Sequence, residues 1–167
     1  MGKEIERKFI VTSSVYRTLA EPVHYRQGYI PTRNGMTVRI RIAGTHAYVT
    51  LKDKPVGFSR NEFEYEIPVA DAIQMLDIMC EQPQIEKLRY RIPSGEAGLA
   101  WEVDEFLGIN AGLVLAEMEV PSEDTTFAIP EWVGREVTGR HGYNNAALCR
   151  HPYGEWSDDE RRDGPAE

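Results

Sequence analysis

The chain has 167 residues, of which 41% are hydrophobic and 28% are charged, a composition typical of a folded globular domain rather than a disordered one. Its net charge of −8 disfavours a nucleic-acid partner, because the phosphate backbone attracts basic surfaces. No apolar run approaches the ~20 residues that a membrane helix needs, and the charged N-terminus does not resemble a signal peptide. We therefore expect a cytoplasmic protein with neither a membrane nor a nucleic-acid partner.

Eight β-strands are predicted along the chain, separated by turns rich in glycine, proline and asparagine. They cover residues 3–11, 23–31, 36–43, 46–54, 58–68, 85–93, 99–107 and 113–121. Apolar spacing predicts one helix over residues 69–79, and short helices are predicted near residues 13–19, 131–138 and 143–150. The polar C-terminal stretch has no periodicity, so we predict a single domain over residues 1–150 followed by an acidic, disordered tail over residues 151–167.

Charged side chains alternate with apolar ones in seven of these strands, so the charged residues share one face. In the first strand, for example, Glu6 and Lys8 alternate with Ile5 and Phe9. The charges are also sorted by strand, since some strands carry mostly acids and others only bases. The residues of this face are Glu4, Glu6, Lys8, Arg39, Arg41, Lys52, Arg60, Glu62, Glu64, Glu66, Lys87, Arg89, Arg91, Glu102, Asp104, Glu117 and Glu119.

Two architectures are consistent with this pattern. The first is a half-buried sheet whose charged face is solvated, which is how most alternating strands behave. The second is an α+β, mainly β fold in which eight antiparallel strands close into a β-barrel with a charged lumen and with helices packed outside. Sorting of the charges by strand favours the closed barrel, because a merely soluble face tends to mix signs along each strand.

A charged lumen would need ligands of both signs. Unpaired buried charges cost several kcal/mol each. Pairing of acids with bases across the lumen would remove part of this cost, and bound counter-ions would remove more. Arginine and lysine are suited to phosphate groups, whereas carboxylates are suited to hard divalent cations such as Mg²⁺ or Mn²⁺. The pattern therefore predicts a site for a polyanion together with a divalent metal ion.

The first strand contains the motif Glu4-Ile-Glu-Arg-Lys8, which resembles the ExExK signature of the CYTH proteins, also called triphosphate tunnel metalloenzymes. The resemblance covers about residues 2–150. ExExK alone is a weak signal, but the ordered set of segments in the later strands is specific. Those segments are residues 27–29, 37–41, 48–52, 60–68, 87–90, 101–104, 112–119 and 132–138.

The resemblance implies a role for most residues of the charged face. It implies metal binding by Glu4, Glu6, Glu117 and Glu119, with Glu62, Glu64 and Glu102 as further acidic positions. It implies phosphate binding by Lys8, Arg39, Arg41, Lys52, Lys87 and Arg89. Lys8 and Tyr29 resemble a catalytic pair that positions or deprotonates the attacking water, although a core tyrosine is an equally good interpretation of Tyr29. Asp104 is interpreted as a charge-balancing residue.

One segment departs from the family pattern. Family members usually continue after the equivalent of residues 137–138 with an aspartate and an arginine before a tyrosine. This sequence has Arg140 and Gly142 at those positions, before Tyr143. The contacts of the C-terminal helices are therefore not carried over from the family.

The first strand resembles the short bacterial inorganic triphosphatases in particular, which implies hydrolysis of inorganic triphosphate to pyrophosphate and phosphate. A class IV-type adenylate cyclase and a thiamine or nucleoside triphosphatase remain open, because the family includes such enzymes. A non-catalytic polyphosphate binder is the alternative from a different class. The sequence leaves open the preference between Mg²⁺ and Mn²⁺ and the oligomeric state, a homodimer included.

Overall fold

One antiparallel sheet of nine strands dominates the computed structural model, which describes residues 5–54 and 61–167. The sheet order is β5-β4-β3-β2-β6-β7-β8-β1-β9. The predicted strands correspond to β1 to β8, because alternating apolar residues and turn residues mark each of them. The bounds are β1 Ile5–Val11, β2 Pro22–Ile30, β3 Thr37–Ala43, β4 His46–Lys52, β5 Glu62–Ile67, β6 Ile85–Pro93, β7 Ala100–Phe106, β8 Val114–Val120 and β9 Val133–Glu136.

The sheet is open, so the predicted closed eight-stranded barrel is wrong. Within the described residues, β5 and β9 are the two edge strands. One side of β1 pairs with β8, and β9 pairs with the other side, where Val11 lies opposite Val133. A ninth strand thus occupies the position on β1 that a closing strand would need.

Strand β9 replaces the short helix predicted near residues 131–138. The Arg7 guanidinium donates two hydrogen bonds to the Glu136 carboxylate, at 2.8 and 2.7 Å, and so joins β1 to β9. Val133 is buried against the core at the start of the strand. These tertiary contacts override the weak helical propensity of a short segment.

The apolar face of the sheet packs in two regions. Phe9, Trp101 and Met118 belong to a core on β1, β7 and β8. Helix α1 (Val69–Ile78) buries Ala72 and Leu76 against β3 and β4. No helix in the described residues is both long enough and apolar enough to cross a membrane.

The C-terminal segment, residues 141–167, is ordered, including residues 151–167, for which a disordered tail was predicted; α2 lies where a short helix was predicted near residues 143–150. A 3-10 turn (His141–Tyr143) leads into α2 (Asn145–Arg150), and a second turn (Tyr153–Glu155) leads to α3 (Asp158–Asp163). The Trp156 side chain is only 4% exposed. Its burial anchors a stretch that is otherwise polar in sequence. It packs in a cluster with Ile85, Phe106, Leu113, Leu115, Val137, Tyr143 and Leu148.

This cluster places α2 on the charged side of the sheet, which corrects the prediction that the helices all pack outside. Leu115 has the same parity along β8 as Glu117, and Phe106 has the same parity along β7 as Asp104, so both apolar residues lie on the charged face. Leu148 of α2 packs in the same cluster as these two residues. Helix α2 therefore covers one end of the charged face.

The two residues that depart from the family pattern contact the end of the chain. Gly142 lies against Pro165, and a Cβ at position 142 would overlap the proline ring. Arg140 Nε lies 3.7 Å from the carboxylate of Glu167. These contacts fasten the last residues of the chain beside the 3-10 turn.

Candidate active site

Strand register brings the predicted charged residues onto one face of the open sheet. Lys8 lies opposite Glu117, and Glu117 lies opposite Glu102 on its other side. Two strands further along the sheet order, Tyr29 lies opposite Arg39. Period-two alternation places the other described members on the same face: Glu6, Arg41, Lys52, Glu62, Glu64, Glu66, Lys87, Arg89, Arg91, Asp104 and Glu119. Glu4 and Arg60 lie outside the described residues.

A buried ionic group occupies the middle of this face. Lys87 Nζ lies 2.6 Å from Asp104 Oδ2, and both residues are fully buried. Arg89 donates from Nε to Asp104 Oδ1 at 2.7 Å. Burial lowers the pKa of Lys87 to about 8, although Asp104 opposes this shift. Burial alone would raise the pKa of Asp104, but Lys87 and Arg89 together hold it well below its ordinary value.

Four carboxylates line a cavity of about 470 Å³ beside this group: Glu6, Glu102, Glu117 and Glu119. Lys8 Nζ lies 3.2 Å from Glu117 Oε1 and 3.7 Å from Glu6 Oε1. Desolvation by surrounding protein atoms, with the charge of Glu117, raises the pKa of Glu6 to about 7, even though its side chain is 48% exposed. Arg89 and Arg91 also contact Glu102, at 2.7 and 3.2 Å. The four carboxylates of the cavity thus outnumber these three bases, and Arg89 is shared with Asp104.

The donor chemistry of this cavity fits a hard divalent cation. Carboxylate oxygens are the ligands that Mg²⁺ and Mn²⁺ prefer, and a bound cation would relieve the repulsion between Glu6 and Glu117. Within the described part of the chain, no three acidic, histidine or cysteine side chains converge on one point as a ready metal site. Glu4, the remaining predicted metal ligand, is not among the described residues.

A basic cluster lies on β3 and β4. Arg39 Nη2 donates to Thr50 Oγ1 at 3.1 Å and to Glu64 Oε2 at 3.3 Å. Its Nε is buried and has no hydrogen-bond partner among the described residues. Burial lowers the pKa of Arg41 to about 10, and the neighbouring charges of Arg39 and Arg89 act in the same direction. The cluster of Arg39 and Arg41 therefore has more positive charge than its neighbours balance, whereas the acidic cavity has more negative charge than its neighbours balance.

Lys52 and Glu62 form an ion pair near one edge of the same face. Lys52 Nζ lies 2.9 Å from Glu62 Oε2. The register places these two residues directly opposite each other on β4 and β5. The lysine therefore has its own acidic partner within the sheet.

Tyr29 and Lys8 are separated in the sheet. They lie on β2 and β1, with β6, β7 and β8 between those strands. Tyr29 Oη accepts a hydrogen bond from Gln27 Nε2 at 3.4 Å, while Lys8 Nζ contacts the C-terminal segment, so no described hydrogen bond joins the two. Burial raises the pKa of Tyr29, and the charge of Arg39 opposes this shift. The side chain lines a second cavity, of about 700 Å³.

Several polar partners of the charged face were not predicted from the sequence. Gln27 is buried and accepts a hydrogen bond from Arg41 Nε at 3.0 Å, and Thr50 is also buried. Both have the same strand parity as predicted face residues, so alternation could have identified them. Asn144 and Asn145 also reach the face, but they come from the C-terminal segment and share no periodicity with the strands.

Comparison with known proteins gives one family. The CYTH domain matches residues 2–152. The chain is 52% identical over 153 residues to an inorganic triphosphatase of Acetivibrio thermocellus, covering 92% of this chain and 97% of that protein. It is 39% identical over 151 residues to an inorganic triphosphatase of Nitrosomonas europaea, covering 87% and 96%. A crystal structure of an inorganic triphosphatase superposes with a TM-score of 0.65 at 35% identity, covering 89% of this chain and 95% of that one.

Proposed function

This chain belongs to the CYTH domain family and is an inorganic triphosphatase, and we propose that the charged face of its sheet is where it hydrolyses tripolyphosphate to pyrophosphate and phosphate. The observation that carries this proposal is the complementary imbalance of charge on one face. Arg39 Nε is buried without a hydrogen-bond partner among the described residues, and Arg41 lies in the same crowded cationic cluster. A polyanion beside this cluster would satisfy both groups.

The phosphate chain would lie along the bases. Arginine binds phosphate through two parallel N–H groups, whereas lysine acts as a point charge, so a mixed set both orients and neutralises the substrate. The central Lys87 and Arg89 lie on β6, between the basic strands β3 and β4 on one side and the acidic strands on the other. We assign phosphate binding to Lys8, Arg39, Arg41, Lys52, Lys87 and Arg89.

The carboxylates would hold the metal ion. We assign this role to Glu4, Glu6, Glu117 and Glu119, and we expect Mg²⁺ or Mn²⁺. Glu62, Glu64 and Glu102 complete the acidic positions, and each of them pairs with a base of the face. When bound, such an ion neutralises phosphate oxygens and lowers the pKa of a coordinated water.

Hydrolysis then requires one positioned water. Its oxygen forms a bond to a terminal phosphorus, and the bond from that phosphorus to the bridging oxygen breaks. The electron pair leaves with pyrophosphate, while one proton of the water stays on the orthophosphate and the other passes to solvent. Lys8 and Tyr29 are the proposed groups that orient or deprotonate this water. They would act when the bound substrate lies between β1 and β2, the strands that carry them.

We also propose a cellular setting and a domain organisation. We propose a cytoplasmic enzyme that acts on a small-molecule triphosphate, with one catalytic domain over residues 1–150. The ordered segment that follows, residues 151–167, packs on that domain through Trp156. The negative net charge of the whole chain is consistent with a partner that binds in one local basic cluster rather than over the surface.

A substrate panel tests the proposal. Phosphate release would be measured with tripolyphosphate, ATP and thiamine triphosphate, each with Mg²⁺ and with Mn²⁺. Arg39→Ala should greatly reduce release from tripolyphosphate. Arg33→Ala is the matched control, because Arg33 is exposed in the turn between β2 and β3.

Each outcome of the panel has one meaning. Release of pyrophosphate and phosphate from tripolyphosphate, lost in Arg39→Ala and kept in Arg33→Ala, supports the proposed site. Formation of cyclic AMP and pyrophosphate from ATP, without release from tripolyphosphate, would identify a cyclase instead. Tight tripolyphosphate binding without any release would identify a polyphosphate binder.

A further inference from the structure

The C-terminal segment carries two consecutive asparagines onto the charged face. Tyr143 and Leu148, on either side of them, are buried in the cluster that also holds Trp156. The strand residues of this cluster lie on the same face as the proposed phosphate-binding residues. The position of Asn144 and Asn145 is therefore fixed by apolar packing on both sides, rather than by the asparagines themselves.

The local structure shows that these side chains are not used for the helix. Asn144 is the N-cap of α2, a position at which asparagine usually accepts a hydrogen bond from a backbone N–H of the first turn. Its side chain makes no such bond here. The amide of Asn144 is therefore available for a contact outside the helix.

That other contact is a buried lysine in each case. Asn144 Oδ1 lies 3.4 Å from Lys8 Nζ, and the carbonyl oxygen of Tyr143 lies 3.5 Å from the same atom. Asn145 Oδ1 lies 3.2 Å from Lys87 Nζ. The two lysines belong to β1 and β6, which are separated by β7 and β8. One pair of adjacent residues thus contacts lysines of two strands that do not touch each other.

The chemistry of an amide suits this position. A lysine ammonium has three N–H donors, and each acceptor that is fixed around it restricts the direction of the others. Lys87 already has a carboxylate partner in Asp104, so a second carboxylate would cancel its charge and repel a polyanion. An amide oxygen directs the ammonium group while leaving its positive charge available to phosphate.

We propose that Asn144 and Asn145 are positioning residues that orient Lys8 and Lys87 toward the triphosphate. The C-terminal segment thereby forms part of the substrate site. This inference rests on the proposed function of the charged face. It separates two roles: Asn145 acts on Lys87, which is assigned to phosphate binding alone, whereas Asn144 acts on Lys8, which is assigned both to phosphate binding and to the attacking water.

The test combines steady-state kinetics with calorimetric titration of tripolyphosphate in the full chain. Variants Asn144→Ala and Asn145→Ala would be compared with His141→Ala, a control in the same segment whose side chain is exposed. Asn145→Ser replaces Asn145→Ala if the alanine variant does not fold, since the shorter hydroxyl does not reach Lys87. Thermal unfolding and the binding stoichiometry establish how much of each variant is folded and competent to bind.

We expect Asn145→Ala to raise KM and Kd for tripolyphosphate by about 5-fold, the effect of one hydrogen bond of ~1 kcal/mol, with kcat unchanged. Asn144→Ala should lower kcat with full binding stoichiometry and, because Lys8 also binds phosphate, should raise Kd by no more than the same factor of about 5. A variant that merely loses folded protein would instead show a reduced stoichiometry. His141→Ala should match wild type in every measurement.

Two results would overturn the inference. The first is wild-type KM and kcat in both asparagine variants. The second is an equal loss in His141→Ala, which would indicate general damage to the segment. If the wild-type chain binds tripolyphosphate but does not hydrolyse it, the proposed function fails, while the Kd of Asn145→Ala still tests the contact with Lys87.

Discussion

Lys87 and Asp104 form a completely buried ion pair across β6 and β7, with Nζ and Oδ2 2.6 Å apart. Arg89 bonds to the same carboxylate through Nε and Nη2. One acid thus holds two bases that we assign to phosphate binding. Both oxygens of Asp104 are bonded to these bases, so we assign Asp104 to holding Lys87 and Arg89 in place rather than to binding the substrate.

Removal of this carboxylate charge should destabilise the fold. Asp104→Asn leaves two buried cations without their shared anion, and loss of one partner of a buried pair typically costs about 3–5 kcal/mol. The free energy of unfolding in urea measures this loss. Asp159→Asn is the control, because the side chain of Asp159 is 83% exposed in its pair with Arg162 and should contribute little. Equal stability of wild type and Asp104→Asn would contradict the central place of this pair.

Substrate affinity should fall as the pH rises through about 8. Burial lowers the pKa of Lys87 from 10.5 to about 8, so the folded enzyme loses this positive charge at a pH where an unfolded chain would keep it. The charge attracts tripolyphosphate only below that pH, and KM should therefore increase on the alkaline side. Lys87→Gln carries no charge at any pH, so its KM should be high at pH 7 and should lack this alkaline rise. If the KM of wild type and the KM of Lys87→Gln changed with pH in the same way, deprotonation of Lys87 would be excluded as the cause of the alkaline rise.

The effect on stability has the opposite sign. Because the folded-state pKa of Lys87 is lowered, the charged form costs stability below pH 8, and that cost is relieved as the pH rises toward 10.5. For Asp104, the lowered pKa adds stability above its ordinary value of 3.8, which is lost progressively as the pH falls below it. The free energies of unfolding of wild type and Asp104→Asn, measured in urea from pH 7 to pH 3, should therefore become more alike as the pH falls.

Metal dependence should reside in the acidic cavity. Glu119→Ala removes a carboxylate from the cavity lining and should raise the metal concentration needed for half-maximal activity by at least about 10-fold. Binding of Mn²⁺, followed by electron paramagnetic resonance, should weaken in parallel. Glu131→Ala, which removes an exposed acid of similar charge, is the control. Unchanged Mn²⁺ affinity in Glu119→Ala would remove Glu119 from the metal site.

The proposed water-positioning pair makes a separate prediction. Tyr29→Phe and Lys8→Ala should each lower kcat, by about 10²-fold if the lost group takes part in proton transfer. Tyr29→Phe should bind tripolyphosphate almost as well as wild type, because the phenyl ring is retained. Tyr65→Phe serves as the control, since Tyr65 is 57% exposed on the opposite face. A wild-type kcat in Tyr29→Phe would make Tyr29 a core tyrosine only.

The C-terminal anchor should contribute to stability. Trp156→Ala removes a large side chain that is 4% exposed, and such a loss typically costs about 3–5 kcal/mol. Urea unfolding compared with Glu155→Ala, an exposed neighbour, measures it. A disordered tail would give no difference between the two variants.

The sequence was sufficient for β1 to β8 and for the face on which each of their side chains lies, but not for β9. Alternation in residues such as Glu6, Lys8 and Arg39 is a local property of an extended backbone, so it predicts sidedness without knowledge of the rest of the fold. Hydrophobic spacing likewise predicted α1, which runs over Val69–Ile78. The ordered motifs of eight strands predicted the family, because several weak local patterns in one order are jointly specific.

Only the tertiary structure decided whether the sheet closes, and it is open. Strand alternation does not indicate which strand edges pair. Strand β9 pairs with β1, and the hydrogen bond between Arg7 and Glu136 that joins them links residues 129 positions apart in the chain. The order of the C-terminal segment was also decided by distant contacts, because Trp156 finds its apolar partners on β6, β7 and β8. The same docking brought Asn144 and Asn145 to Lys8 and Lys87. Local periodicity determines which side chains lie on each face of a strand. Packing between segments that are distant in the sequence determines which residues those faces contact.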